Sequence, residues 1–345
     1  MAGAPRLRVG LAGFGNVGRA FARLLIDRRP VLRERLGVEP VLVFIADSGG
    51  FLGSRDGLDW GLVERALEAP RGRVSGLEGG QPGGTVEEAI EGLGVDVLVD
   101  ATPSRYDEPE TALGWWLRVL DSGGAVVTAD KAPLATRCGV LLSPPGRARR
   151  LFYKATVMAG TPLVDMLRWG MAGRLVKKVT GVLNGTTNYV LGLAEEGWGF
   201  QEAVREAQRR GYAEPDPSAD LHGFDLAAKA AILSCTLGSP LSLRDVERRD
   251  VVDEAAFQRA REAARRGRRL KYVATVEPGR GARVELVEVG PESPLYRLRG
   301  VMNGVLVEPR EAEPVYVEGP GAGRLATASS LLADLAAAVL QGVVP

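Results

Sequence analysis

Apolar residues fall into two textures along the chain. Up to about residue 145, short runs at 7–12, 41–46, 95–101 and 125–128 have no polar face and are bounded by Gly, Asp or Pro, as buried strands are. Between them, 16–28, 59–69, 85–93 and 110–120 carry helical spacing. Strands apolar on both faces and separated by helices predict a parallel sheet covered on both sides. The Gly-rich stretch 72–84 reads as an exposed loop. After Ser143-Pro144-Pro145-Gly146, 151–157 and 175–183 alternate like strands with one covered face. Helical stretches follow at 186–196, 200–210, 221–235 and 253–266, strands at 270–276, 283–289 and 315–317, and a closing helix at 325–340. The predicted fold class is α/β: a doubly wound parallel sheet over 1–145, an α+β unit over 146–314, and a C-terminal segment over 315–345.

The first strand runs into Gly13-Phe14-Gly15-Asn16-Val17-Gly18, which opens a helix. The first glycine allows a tight turn, the second lets backbone approach a pyrophosphate, and the third packs helix on strand. The helix N-terminus then offers N–H donors and a positive dipole to the anion. Strand, glycines and helix together predict a Rossmann-type dinucleotide site. Asp47, followed by Ser48, ends the second strand, where a carboxylate holds a ribose 2′-OH and repels a 2′-phosphate. That favours NAD. Asp47 stands some 30 residues past the glycines rather than the usual ~20, and Arg19 or Arg55 could reach a phosphate, so both NAD and NADP stay open.

Composition narrows the function further. Lys and Arg number 44 against 43 Asp and Glu, so no net field draws the chain to nucleic acid or an anionic membrane. The apolar fraction of 45% with 25% charged residues is that of a globular protein. A single histidine, His222, excludes a His-cluster metal site, and no metal is expected. Two cysteines, Cys138 and Cys235, make no disulfide framework and fit a reducing compartment. Residues 1–10 are basic without an apolar core behind them, unlike a signal peptide. The most apolar stretch, 325–345, is interrupted by Asp334 and Gln341 and reads as a buried amphipathic helix rather than a membrane span. A cytoplasmic enzyme is expected.

Two loops lie where parallel strands end, the ligand edge of such sheets: Asp100-Ala101-Thr102-Pro103-Ser104 and Thr128-Ala129-Asp130-Lys131-Ala132-Pro133. A third constellation is Gly211-Tyr212-Ala213-Glu214-Pro215-Asp216-Pro217, followed by Asp220, Asp225 and Lys229. Asp225 and Lys229 are four apart and share a helix face. A solvent-exposed pair of that kind contributes only ~0.3–0.5 kcal/mol. Leu226, Ala227, Ala228 and 230–233 are all apolar, however, so the helix is buried, and a buried Asp and Lys need a partner or a task.

With these motifs the sequence resembles the homoserine dehydrogenases, in their short monofunctional form, over nearly its whole length. The resemblance is carried by the 13–18 glycines, Ile45-Ala46-Asp47-Ser48, the two strand-end loops, and Ala155-Thr156-Val157-Met158-Ala159-Gly160-Thr161-Pro162. It continues through Gly181-Val182-Leu183-Asn184-Gly185-Thr186-Thr187-Asn188-Tyr189, residues 211–229, and Gly319-Pro320-Gly321-Ala322-Gly323. It implies interconversion of L-homoserine and L-aspartate 4-semialdehyde with NAD or NADP, in threonine and methionine biosynthesis. It also implies a homodimer formed through the second unit, and a 315–345 segment that returns to the nucleotide unit. By the same resemblance, Lys229 is the proton donor and acceptor, Lys131 organises nicotinamide and substrate, and Asp225 and Glu214 hold substrate. Asp220, Asn184, Gly185 and Thr186 lie close by, and Thr102, Ser104 and Gly323 touch the cofactor. The chemistry agrees: an ammonium can protonate a developing alkoxide, and carboxylates answer the substrate's own ammonium.

Two departures from the family stand out. Many members bind a monovalent cation through a glutamate and the carbonyls after it; here the position is Lys154, whose ammonium either fills the ion's place near the carbonyls of Val157, Ala159 and Thr161 or points to solvent. Nothing after 340 corresponds to an appended amino-acid-sensing domain, so feedback by threonine is not expected. Rival readings are weaker. A thiol-dependent semialdehyde dehydrogenase needs a reactive cysteine with a base nearby, yet Cys235 lies in an apolar helical run and neither cysteine has a histidine near it in sequence. A His-Asp hydroxyacid dehydrogenase would rest on His222, which reads as a helix-start residue. A non-catalytic nucleotide-binding redox sensor has no use for Asp225 and Lys229.

Overall fold

β1 (Arg6–Ala12) is the hub of the first sheet, with Leu7, Val9 and Leu11 buried on alternate positions. The structure is a computed structural model and describes residues 4–345. β2 (Glu39–Asp47), β3 (Gly50–Gly53), β4 (Gly80–Pro82), β5 (Val97–Asp100), β6 (Ala125–Thr128) and β7 (Leu151–Phe152) complete a seven-stranded sheet in the order β4-β3-β2-β1-β5-β6-β7. β2, β1, β5, β6 and β7 run parallel, and the β3–β4 edge is antiparallel. This is the doubly wound, Rossmann-type arrangement. Register aligns Ala46, Ala12, Asp100 and Thr128 across four strands, so the loops after β1, β2, β5 and β6 leave from one edge.

The second sheet has six strands: β8 (Val176–Val182), β9 (Glu247–Arg248), β10 (Arg269–Glu277), β11 (Gly281–Val289), β12 (Met302–Pro309) and β13 (Val315–Pro320). Their order is β13-β12-β8-β10-β11-β9, mostly antiparallel. Helices Gly185–Glu195, Phe224–Thr236 and Glu254–Arg265 pack on β10, and Phe224–Thr236 also on β11. Contacts divide the chain into two compact units. One comprises the chain through Pro133 together with Val140–Thr156 and Gly323–Pro345; the other comprises Leu134–Gly139 and Val157–Ala322. The closing helix Arg324–Leu340 lies in the first unit against helix Asn16–Leu36, with Ala328, Leu331 and Leu335 in the core. Among the described residues no helix is long and apolar enough to cross a membrane.

Several sequence expectations need correction. The helix predicted at 16–28 continues to Leu36, because the charged run around Pro30 hides an exposed continuation that ends on Gly37 in the left-handed region. The 72–84 stretch is not a plain exposed loop. Val74 and Ser75 are buried, Val74 N–H donates to the Asp47 carboxylate, and β4 extends the sheet. The strand predicted at 151–157 is only two residues long and belongs to the first sheet; beyond it Thr156 N–H and Oγ1–H both donate to the Tyr153 carbonyl and close a tight turn. The 221–235 helix is two helices, Ser218–Leu221 and Phe224–Thr236, parted at Gly223. There φ is +72°, and a Cβ would stand 2.2 Å from the Tyr272 hydroxyl. β12 was not anticipated, because Asn303 and Gly304 interrupt its alternation.

The cysteines require the largest revision. Cys138 and Cys235 are joined in a disulfide within the second unit, 97 residues apart, and both are buried. They therefore give no argument for a reducing compartment.

Lys154 departs from the second of the two alternatives raised above. Its side chain is buried, not turned to solvent, and its ammonium lies 3.4 Å from Asp334 Oδ1, while its backbone N–H donates to Asp334 Oδ2 at 3.0 Å. The partner comes from the closing helix, which sequence proximity to 157–161 could not suggest.

Candidate functional site

In the first unit, the turn after β1 is shaped by glycine. Gly13 has φ +87°, and a Cβ there would sit 2.6 Å from the backbone at Ala101 and Thr102. A Cβ on Gly18 would be 1.9 Å from the Gly13 carbonyl oxygen, so helix and turn pack backbone to backbone. At Gly15 a Cβ would meet nothing within 4 Å, and this N-cap supplies no side-chain hydrogen bond to the helix. Open space facing amide donors at a helix N-terminus fits the pyrophosphate of a dinucleotide. Asn16, Val17 and Gly18 begin that helix and Phe14 is buried beside it.

The neighbouring side chains are more committed than the sequence suggested. The Asp47 carboxylate accepts Gly49 N–H at 2.9 Å and Val74 N–H at 3.1 Å, and Ser48 Oγ lies beside Gly72. Arg19 is engaged by the carbonyls of Phe14, Ala66, Leu67 and Ala69, and Arg55 by that of Gly92. The cation that does reach this helix start is Arg71, hydrogen-bonded to Asn16 Oδ1. Sequence reading missed it because it stands at the border of the Gly-rich stretch, outside any motif.

At the ends of β5 and β6, Thr102 donates both N–H and Oγ1–H to Asp100. Ser104 Oγ accepts Lys131 N–H at 2.8 Å. Both hydroxyls thus brace loops. Burial raises Asp100 above the ordinary carboxylate range. Burial, then the charge of Asp100, pushes Asp130 up to about 7.

In the second unit, four predicted residues meet. Lys229 Nζ donates to Asp225 Oδ2 at 2.7 Å and to the Leu183 carbonyl at 2.6 Å. Asn184 Nδ2 reaches Asp220 Oδ1 at 2.7 Å and Asp225 Oδ2 at 3.0 Å. Asn184 Oδ1 meanwhile accepts Thr187 N–H and caps helix Gly185–Glu195, which fixes the amide's orientation. Gly185 is required, because a Cβ would be 2.8 Å from the Val301 carbonyl oxygen. Burial, followed by the charge of Asp225, raises the Asp220 pKa; Asn184, Thr186 and Lys229 oppose that.

The second asparagine of the 184–188 motif has a structural task. Asn188 donates to the Gly300 and Met302 carbonyls and accepts Lys271 Nζ. Thr186 Oγ1 donates to the Tyr212 carbonyl and so ties down the 211–217 loop. Glu214 stands exposed on that loop, outside the Asn184–Asp220–Asp225–Lys229 cluster. The Leu183 carbonyl, which sequence reading missed, has no side-chain signature by which to find it. Gly323, with φ +131°, begins the closing helix in the first unit. Among the described residues no group of three or more His, Cys, Asp or Glu is arranged to hold a metal ion.

A family model for homoserine dehydrogenase matches residues 162–336. The NAD(+)-dependent homoserine dehydrogenase of Pseudomonas canavaninivorans is 34% identical over 338 residues, covering 95% of each chain. The homoserine dehydrogenase of Sulfurisphaera tokodaii is 32% identical over 328 residues, covering 94% of this chain and 96% of the other. A hyperthermophilic archaeal homoserine dehydrogenase solved in complex with NADPH superposes with a TM-score of 0.81 at 28% identity, covering 97% of this chain and 98% of that one. The chain belongs to the homoserine dehydrogenase family.

Proposed function

We propose that the chain interconverts L-homoserine and L-aspartate 4-semialdehyde with NAD or NADP, as a cytoplasmic homodimer. The observation that carries the reading is the Lys229–Asp225–Asn184–Asp220 cluster, a buried ammonium flanked by carboxylates. Asp225 and Asp220 bind the substrate ammonium by charge-assisted hydrogen bonds, and Glu214 joins them from its loop. Lys229, held by Asp225 and the Leu183 carbonyl, gives a proton to the substrate oxygen in reduction and takes it back in oxidation. Asn184, Gly185 and Thr186 fix the floor of that site. Residues 13–18, with Asp47, Ser48, Thr102, Ser104 and Gly323, hold the dinucleotide, and Lys131 organises its nicotinamide end. When bound, the nicotinamide supplies or accepts the hydride.

Initial rates with L-homoserine and each nucleotide test this reading. Folded protein should reduce NAD+ or NADP+ only when homoserine is present. Because both Asp47 oxygens are engaged by amides and Arg71 stands by Asn16, discrimination between the two nucleotides should stay within about tenfold, roughly 1.4 kcal/mol. A homoserine-independent rate, or none at all, contradicts the assignment.

The dimer is supported by the second sheet. Arg283, Thr275, Thr180, Leu306 and Tyr316 pair in one row across β11, β10, β8, β12 and β13. Tyr272, three residues from Thr275, turns to the helix side, so by strand alternation this row faces the other way. Thr180 Oγ1 is buried without a hydrogen-bond partner, and Leu306 and Tyr316 are half-buried. A second copy of the sheet would cover these groups. Leu306→Arg should convert a dimer to a monomer in light scattering; an unchanged mass argues for another interface.

A further inference from the structure

Lys271 is a buried charge with no task in the reading above. It stands near the start of β10, 2% exposed, between the apolar neighbours Leu270 and Tyr272. Burying an ammonium is costly unless hydrogen bonds and an opposite charge offset it. Here Nζ donates to Asn188 Oδ1 at 2.7 Å and to the Leu298 carbonyl at 2.8 Å. Glu195, at the far end of the helix that carries Asn188, is the carboxylate whose charge favours it.

An ammonium only donates and a backbone carbonyl only accepts. Lys271 therefore fixes which way the buried Asn188 amide points. Oδ1 turns to Nζ, and Nδ2 is left to donate to the carbonyls of Gly300 and Met302, at 2.9 and 3.2 Å. The two side chains together hold the carbonyls of Leu298, Gly300 and Met302, which pins the 298–302 turn to the first turn of helix Gly185–Glu195.

The chain just beyond β8 rests on that turn. A Cβ at Gly185 would be 2.8 Å from the Val301 carbonyl oxygen, and Asn303 Nδ2 donates to the Val182 carbonyl at 3.0 Å. Between these two supports lie Leu183, whose carbonyl accepts Lys229 Nζ, and Asn184, whose amide reaches Asp220 and Asp225.

We propose that Lys271 is a positioning residue: through Asn188 it locks the 298–302 turn against residues 182–185, and so sets where Leu183 and Asn184 hold Lys229 and Asp225 for proton transfer. It acts through other residues and supplies no proton itself. The proposal rests on the role given to Lys229 above.

Two variants break the clamp at different points. Lys271→Met keeps an unbranched chain but takes the donor from Asn188 Oδ1 and the Leu298 carbonyl. Asn188→Asp keeps an acceptor for Lys271, yet an ionised carboxylate cannot donate to Gly300 or Met302. Both are compared with wild type and Lys229→Ala in the full-length protein, with rates expressed per folded molecule. The readouts are kcat and KM for L-homoserine at saturating nucleotide, the solvent deuterium isotope effect on kcat, and the guanidinium midpoint of unfolding.

Each variant should lower kcat by roughly 10- to 100-fold, as small misplacements near reacting groups do, and kcat should fall further than KM rises. The solvent isotope effect should exceed that of wild type, because a misaligned Lys229 makes proton transfer a larger share of the barrier. Lost stability alone lowers the midpoint and the folded fraction but leaves the isotope effect where it was. If Lys229→Ala is slow while either folded variant keeps the wild-type kcat, or loses it with an unchanged isotope effect, the proposal is overturned and the Lys229 reading stands. If Lys229→Ala keeps the wild-type kcat, the Lys229 reading falls and takes the proposal with it. Should Lys271→Met fail to fold, Asn188→Asp decides, because it leaves Lys271 paired.

Discussion

Replacing Lys229 by Ala should lower kcat for L-homoserine oxidation by about 10²-fold or more, the contribution of a positioned acid–base group. The side chain lies at the meeting point of the Asp225 carboxylate and the Leu183 carbonyl, and its helix is buried from Leu226 to Cys235. Water cannot readily replace it there. Loss of charge and loss of proton transfer are separable. Lys229→Arg keeps a cation but cannot deprotonate in the working range, so it should be nearly as slow as Lys229→Ala. A Lys229→Arg variant with wild-type kcat would make Lys229 an electrostatic anchor only. Nucleotide Kd is measured alongside in both variants, so that lost turnover is not mistaken for lost nucleotide binding.

Removing the disulfide should cost the most stability. Cross-linking residues 97 apart restricts the unfolded chain by ~4.7 kcal/mol in the chain-entropy model for a loop of about 100 residues. The bond ties segment Leu134–Gly139 to the helix carrying Asp225 and Lys229. Cys138→Ala/Cys235→Ala should therefore unfold at markedly lower guanidinium concentration, and a strong reductant should shift wild type but not the variant. Thiol titration of unreduced, denatured wild type should count none; two thiols would mean the pair is open. Disulfides are rare in cytosolic proteins of ordinary organisms and common inside hyperthermophiles, so this measurement also bears on the conditions in which the protein works.

The parallel strands β1, β2, β5 and β6 were legible because each is an apolar run parted from the next by a helix of regular period, whereas β7 was read into the second unit. The glycine turn was legible because its demands are local: each of Gly13 and Gly18 has backbone where a Cβ would be. The Asp225–Lys229 pair was legible as two charges four apart on an otherwise apolar helix. What escaped was long-range. The Cys138–Cys235 bond, the Lys154–Asp334 pair and the Lys229–Leu183 contact join residues 97, 180 and 46 apart, and no spacing rule reaches that far. Thr102 and Ser104 were read as cofactor contacts from the family resemblance. The Thr102 hydroxyl is engaged by Asp100 and Ser104 Oγ by Lys131 N–H, so any contact they make with a nucleotide is secondary to bracing the loops.

The most direct test of the whole account runs the reaction in the reducing direction and identifies the product. Folded protein is given L-aspartate 4-semialdehyde with NADH or NADPH, and L-homoserine is measured against nicotinamide oxidised. One homoserine formed per nucleotide consumed, in wild type and not in Lys229→Ala, is the predicted result. Nucleotide consumption without homoserine, or no turnover by folded protein with either nucleotide, would contradict it.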